Sequence, residues 1–304
     1  MIYVIILIKN NVYLIFYEKS EFMIYIGCHL SIGLGYFNMA KLAKEIGANT
    51  LQFFTRNPRG GAMKKIDEED MRLFNEFLSE NNFGKIVAHA PYTLNPCSDK
   101  ESVREFGRSV IKEDLEIMEM MPGNIYNFHP GSHVGQGVDA GIKFTTDLLN
   151  EVLRDDMTTI VAIETMAGKG TEIGRNFSEI KRIIDGVDLK ERVGVCLDTC
   201  HVFESGMDLR EGIDEVLLNF DREIGLEKLV ALHLNDSKNE CGAKKDRHEL
   251  IGKGSIGIDV FKEIVNDERL KKLPLILETP TDEEGHRVEI ELLRSFGKWQ
   301  GNEL

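Results

Sequence analysis

The chain has 304 residues, 51 acidic against 37 basic side chains and a formal net charge of −14, a balance that excludes a basic coat holding nucleic acid by clustered Lys and Arg. Its five cysteines, odd in number and without a CxxC pair, exclude a short disulfide scaffold and fit reduced thiols in a cytoplasmic protein. The length suits one barrel domain, since α/β barrels routinely reach about 250 residues, and no Pro/Ser-rich or low-complexity tract divides it.

The first 22 residues, MIYVIILIKNNVYLIFYEKSEF, are apolar and aromatic but are interrupted by Lys9, Asn10 and Asn11. The run before them falls short of the about 20 residues that span a bilayer, and no basic leader or small-residue cleavage site accompanies it. Residues 1–22 are therefore expected to be an appendage, at most a hairpin or an extra edge strand, with no membrane partner. Met23 opens MIYIGCHLSIG, a better first strand and a candidate alternative start for a single domain over 23–304.

From there, short runs rich in Val, Ile and Leu occur at 25–30, 50–55, 85–89, 125–129, 159–164, 193–198, 229–234 and 274–278. Near-continuous apolar runs of this length are the signature of parallel strands covered on their outer faces. Between them the spacing predicts helices. Met71, Phe74 and Leu78 form one stripe over 67–81, and Val110, Leu115, Ile117, Met118 and Met121 form another. Later stripes lie at 177–184, 213–220, 260–265 and 288–296. Strand then helix, eight times over, favours a closed (β/α)8 TIM barrel over an open doubly wound sheet. The methionines on the stripes are ordinary core filler. Cys28, Cys196 and Cys200 lie in apolar strand contexts and read as small buried hydrophobes.

Seven of those strands end in a side chain able to bind a metal: His29, His89, His129, Glu164, Asp198, His233 and Glu278. Singly, each is more often a satisfied structural residue. Together, on a parallel barrel, they converge on the C-terminal face where barrel active sites are built. Buried carboxylates need cationic partners that the neighbouring sequence does not supply. Imidazole and carboxylate donors without a thiolate cluster suit zinc first, with manganese or iron as substitutes, and the histidines disfavour magnesium or calcium.

Spacing sorts the remaining candidates. Pro130 and Gly131 break any helix between His129 and His133, so His133 is expected to sit outside the ligand set. Asp198 and His201, three apart across a strand end, can reach different ions. Asp246 and His248, in the long polar loop from 235 to about 256, would share one ion if that segment is extended. His286 lies among polar residues and is expected to be solvated.

The segments IGCHLSIG, FTRNPR, VAHAPYTLN, NFHPGSHVG, AIETMAGKG, GVCLDTCHVFESG, HLNDSK, DRHELIGKGSIG and LILETP carry a resemblance that covers the chain from Met23 onward. It resembles the endonuclease IV family, zinc-dependent apurinic/apyrimidinic endonucleases on a TIM barrel. The resemblance implies three zinc ions: the first held by His89 and His129, with Glu164 bridging to the second; the second completed by Asp198, His233 and Glu278; the third held by His201, Asp246 and His248. It also implies hydrolysis of the phosphodiester 5′ to an abasic site in duplex DNA by a monomer, leaving a 3′-hydroxyl and a 5′-deoxyribose phosphate. Glu164 is the implied catalytic residue, and Arg59 and Tyr92 the implied DNA contacts. The chain departs from the family pattern at Gly60-Gly61, where relatives often carry a bulky residue. A divalent-metal sugar isomerase or epimerase on the same barrel is the rival reading, because fold alone does not decide chemistry. A noncatalytic metal- or DNA-binding protein is a third, and a missing ligand would have supported it.

Overall fold

Side chains alternate across a strand, and in this chain that alternation builds two separate cores. The computed structural model describes residues 2–8, 11–17, 24–57 and 66–297. In chain order the elements are β1 (Ile2–Ile8), β2 (Asn11–Tyr17), β3 (Tyr25–Leu30), α1 (Tyr36–Glu45), β4 (Gln52–Phe54), α2 (Glu68–Glu80), β5 (Val87–His89) and α3 (Glu101–Met118). There follow β6 (Ile125–Phe128), α4 (Val138–Val152), β7 (Ile160–Glu164), α5 (Phe177–Gly186), β8 (Val193–Asp198), α6 (Thr199–Ser205), α7 (Ile213–Glu223) and β9 (Leu229–Leu234). The last are β10 (Asp236–Ser237), β11 (His248–Glu249), α8 (Ile258–Asn266), β12 (Pro274–Leu277) and α9 (Glu283–Ser295).

Eight parallel strands close in the order β12-β3-β4-β5-β6-β7-β8-β9, so the expected barrel is present. The strands expected at 50–55 and 85–89 are shorter than their apolar runs, at Gln52–Phe54 and Val87–His89. Strands β1 and β2 pair as an antiparallel hairpin, Ile2 opposite Tyr17, in a sheet of their own. No helix among the described residues is long and apolar enough to cross a membrane.

Outward positions such as Phe53, Tyr126, Ile163, Leu197 and Leu232 join the helix stripes in one large buried core. Inward positions Val87, Ile125, Ala162, Cys196, Ala231 and Ile276 form a second, small core inside the barrel. Advancing two residues from each of these keeps a side chain on the inner side and brings it to the C-terminal mouth. The residues reached are His89, Asn127, Glu164, Asp198, His233 and Glu278. The dry inner core is thus the floor on which the polar layer stands. Gly27 makes the closure possible at β3, since a Cβ there would lie 2.0 Å from the Thr50 carbonyl oxygen of the neighbouring chain segment. Cys28, Cys196 and Cys200 are fully buried, as expected.

At the opposite end of the barrel, Glu119 joins α3 to β7. Its carboxylate accepts from the backbone N–H of Thr158 (2.9 Å) and Thr159 (3.0 Å) and from both threonine hydroxyls. Burial works against ionisation, but these donors hold the carboxyl below its ordinary value. A folded value below the unfolded one gives stability that is complete above the unfolded value and is lost as pH falls through the folded value. Glu119→Gln is therefore expected to cost about 1–2 kcal/mol at neutral pH. The gap to the parent should close as pH drops below about 4; urea titrations at both pH values check this, and a gap independent of pH would refute it.

Candidate metal centre

Glu164 ends β7 fully buried at the centre of the polar layer. One carboxylate oxygen, Oε2, lies 3.1 Å from His89 Nε2 and 3.2 Å from His129 Nε2. The other, Oε1, lies 3.3 Å from His233 Nδ1. That same His233 nitrogen faces Glu278 Oε2 at 3.2 Å and Asp198 Oδ2 at 3.7 Å. Among the described residues the ligand-type atoms fall into four compact groups: His89, His129 and Glu164; Glu164, Asp198, His233 and Glu278; His201, Asp246 and His248; and Asp198, Cys200 and His248, which overlaps the second and third. The first three are the groupings implied by the resemblance, and Glu164 is common to the first two.

Strand β8 and helix α6 explain why Asp198 and His201 part company. Asp198 is the last residue of the strand and caps the helix, its Oδ1 accepting from His201 N–H at 2.7 Å. Its other oxygen is left for the second group, while His201, one turn into the helix, points Nε2 at Asp246 Oδ1, 3.0 Å away. The 235–256 segment is more ordered than its composition suggests, because β10 and β11 pair antiparallel, with Ser237 opposite His248. Asp246 and His248 do meet, at 3.6 Å, but not through an extended backbone. Asp246 has φ +57°, the left-handed region, and its side chain is swung round by that turn.

One nitrogen of four of the rings is already spoken for by an oxygen. His89 Nδ1 lies 2.6 Å from Ala90 O, His201 Nδ1 2.8 Å from Thr165 O, His248 Nδ1 3.3 Å from Glu278 O, and His233 Nε2 2.7 Å from Gln52 Oε1. A carbonyl oxygen only accepts, so each ring puts an N–H on that side, and on losing its second proton it would carry the lone pair on the other nitrogen, among the carboxylates. That is the tautomer a metal needs. His248 Nε2 is buried with no hydrogen-bond partner, 3.8 Å from Asp198 Oδ2. An orphaned imidazole lone pair beside two carboxylates is the donor arrangement that a bound divalent cation satisfies, so the residues fit such an ion.

The carboxylates' ion-pair partners here are imidazoles. Burial alone would raise the Glu164 carboxyl, but His129 and His233 beside it, with hydrogen bonds from His129 and His201, hold it well below the usual range. Glu278 and Asp246 are only partly buried, and against the opposing pull of desolvation they too are held low by facing imidazoles, His233 foremost for Glu278 and His201 for Asp246. Reciprocally, His201 and His233 are raised well above their ordinary value, against the opposing pull of burial. A site that is this rich in stabilised negative charge selects cations.

Several residues that support this centre were not singled out from the sequence. Gln52 spans the mouth: Nε2 donates to Glu278 Oε1 at 2.5 Å while Oε1 faces His233. The same Nε2 lies 3.1 Å from His29 Nδ1, which burial holds as a neutral acceptor, its value pushed down to about 4. Asn127 Nδ2 donates to Glu164 Oε2 at 2.6 Å. Asn235 donates to Asp198 Oδ2 at 2.7 Å and accepts from Glu278 N–H at 3.0 Å. Gln52 and Asn127 occupy inward positions of β4 and β6, so strand parity was the signal that could have found them.

Two histidines stand apart. His133 lies outside these groups, as expected, with Nδ1 accepting from Gly137 N–H at 3.0 Å. His286 corrects its expectation: it is 6% exposed, with Nε2 3.3 Å from Thr279 O. It shares the buried face of α9 with Glu289, Ile290 and Leu293, a helical spacing that outweighs its polar neighbours. Tyr92 is 50% exposed at the mouth. Its ring packs edge-on to Phe54, which packs likewise on His89. Arg59 and Gly60-Gly61 lie outside the described residues.

A family model described as a xylose isomerase-like TIM barrel matches residues 40–296. A protein of Clostridium botulinum named "Probable endonuclease 4" is 57% identical over 276 residues, covering 91% of this chain and all of that protein. The crystal structure of endonuclease IV from Thermus thermophilus superposes with a TM-score of 0.79 at 27% identity, covering 90% of this chain and 98% of that one. A D-tagatose 3-epimerase-like protein superposes at 0.67 with 17% identity, covering 89% of this chain and 96% of that one, a likeness of fold alone.

Proposed function

The chain belongs to the endonuclease IV family, and from that membership we propose that it is a DNA-repair hydrolase. The proposed reaction cuts the phosphodiester 5′ to an abasic site in duplex DNA and leaves a 3′-hydroxyl and a 5′-deoxyribose phosphate. The observation that carries this reading is the set of ligand groups at the barrel mouth, two of them joined through Glu164. Ligand groups so close together would let more than one divalent ion act on a single phosphate, which suits in-line displacement at phosphorus, where attacking and leaving oxygens both need charge neutralised.

In this reading three divalent ions, zinc by the donor set, would supply Lewis acidity and lower the pKa of water from 15.7 to about 7. His89 and His129 would hold the first, Asp198, His233 and Glu278 the second, and His201, Asp246 and His248 the third. Glu164 would hold the first two at a fixed separation, its two oxygens already directed to different groups. Gln52, Asn127 and Asn235 keep the carboxylates in place while the reacting phosphate changes shape. Their amide N–H groups donate to carboxylate oxygens and so leave each ligand one preferred orientation. The net charge of −14 is compatible with a phosphate substrate because those ions would reverse the local sign at the mouth.

Tyr92, half-exposed at the rim and edge-on to Phe54, would enter the duplex at the lesion, and the family resemblance implies the same role for Arg59. An abasic nucleotide has lost its pairing and much of its stacking, so its extrusion costs little and damaged DNA is favoured. The protein would act as a monomer.

The test is cleavage of an end-labelled duplex with one tetrahydrofuran abasic analogue, before and after chelation. This analogue resists β-elimination, so a lyase cannot mimic hydrolysis. A single chelator-sensitive nick on the 5′ side with a 3′-hydroxyl is expected. An intact duplex after incubation with folded, zinc-loaded protein would defeat the assignment and turn attention to sugar isomerisation.

A further inference from the structure

Helix α6 carries His201, and one turn later on the same helix stands Glu204, fully buried. Residues three apart share a helix face. The Glu204 carboxylate is surrounded by donors from β10 and the segment that follows it. Oε2 accepts from the backbone N–H of Lys245 at 2.6 Å and of Asp246 at 2.7 Å. Oε1 accepts from Ser237 Oγ at 2.8 Å, Asn239 Nδ2 at 3.1 Å and Arg247 N–H at 3.4 Å. Backbone contacts reinforce the grip, since Gly242 N–H donates to Phe203 O and Lys244 N–H to Glu204 O, each at 3.1 Å.

The segment so held is the one that delivers two ligand-type residues to His201. Lys244 and Asp246 both adopt left-handed φ values, +55° and +57°, which side chains other than glycine enter only when the surroundings hold them there. The amides freed by that turn are the ones that the Glu204 carboxylate takes up. A buried carboxylate with five such donors is satisfied without a cation, so Glu204 does not itself need a metal.

We propose that Glu204 is a positioning residue for the ion held by His201, Asp246 and His248. It ties the loop to the helix that bears His201, so that one rigid turn sets the distance among all three ligands. This inference rests on the proposed ligand roles of those three residues. Replacing the carboxylate by an amide would turn an NH2 group against backbone N–H donors and release the loop. The ligand-type residues of the first two groups lie at or just past the ends of barrel strands, outside that loop.

The test measures zinc per chain and the affinity of the weakest ion, by competition with a chromophoric chelator, in the full-length holoenzyme, Glu204→Gln and Asp246→Ala. Glu204→Gln is expected to weaken one ion per chain by 10-fold or more while the other ions keep parental affinity, and excess zinc should restore occupancy. Asp246→Ala should lose the same ion. Loss in Asp246→Ala with parental affinities in Glu204→Gln would overturn the role of Glu204 alone. Parental affinities in both would overturn the ligand group and the inference with it. Should Glu204→Gln fail to fold, hydrogen exchange on the metal-free parent decides: slow exchange of the Lys245 and Asp246 amides is expected, and exchange as fast as in exposed loops would refute the clamp.

Discussion

A Glu164→Gln variant is expected to lose cleavage of abasic duplex by about 10³-fold or more, equivalent to roughly 4 kcal/mol of barrier, while keeping the parental fold. Glu164 is common to two ligand groups, and its two oxygens face different histidines. Glutamine removes the charge and offers one oxygen where two are used. The NH2 group would also face either Asn127 Nδ2 or the His233 nitrogen in place of an acceptor. Single-turnover kinetics, with circular dichroism to check the fold, measures the effect. Full residual activity in a folded variant would remove Glu164 from the reaction.

Stripping the metal is expected to lower the melting temperature by more than about 10 °C. An ion that binds only the native state adds about 4 kcal/mol when present at 1,000 times its dissociation constant. For a chain of this size each kcal/mol moves the midpoint by about 2 °C or more, and the three proposed ions would act together. Without metal, the clustered carboxylates of Glu164, Asp198 and Glu278 would be left with imidazoles and neutral amides as their partners. Calorimetry with a chelator, then with zinc restored, tests this. A midpoint unmoved by chelation would show that the cluster is structural without metal. Affinity for the ions should fall as pH drops through the histidine range, because a protonated ring has no lone pair to donate.

The barrel was legible because parallel strands covered on both faces leave uninterrupted runs of Val, Ile and Leu, and those runs kept their places in the structure to within a few residues. The ligand-type residues were legible for a related reason: His, Asp and Glu are conspicuous at the ends of apolar strands. Gln52, Asn127 and Asn235 escaped because a neutral amide costs little to bury once hydrogen-bonded and draws no attention by charge. Glu204 escaped because it sits on a short helix, and its partners are backbone amides more than thirty residues away, which composition and spacing do not reveal. His286 misled because its neighbours in sequence are charged, although its neighbours on the buried face of α9 are apolar.

The crossbar from Gln52 to Glu278 joins residues 226 positions apart. During synthesis, therefore, the early strands emerge from the ribosome long before the residues that complete their polar layer. Until β12 has been made and has docked between β9 and β3, the second ligand group lacks Glu278, and Gln52 lacks one of its two partners. A nascent or truncated chain can present His89, His129 and Glu164 without being able to assemble the whole centre. Assembly of the full ligand set is thereby coupled to completion of the chain, and a broken or half-made copy lacks it.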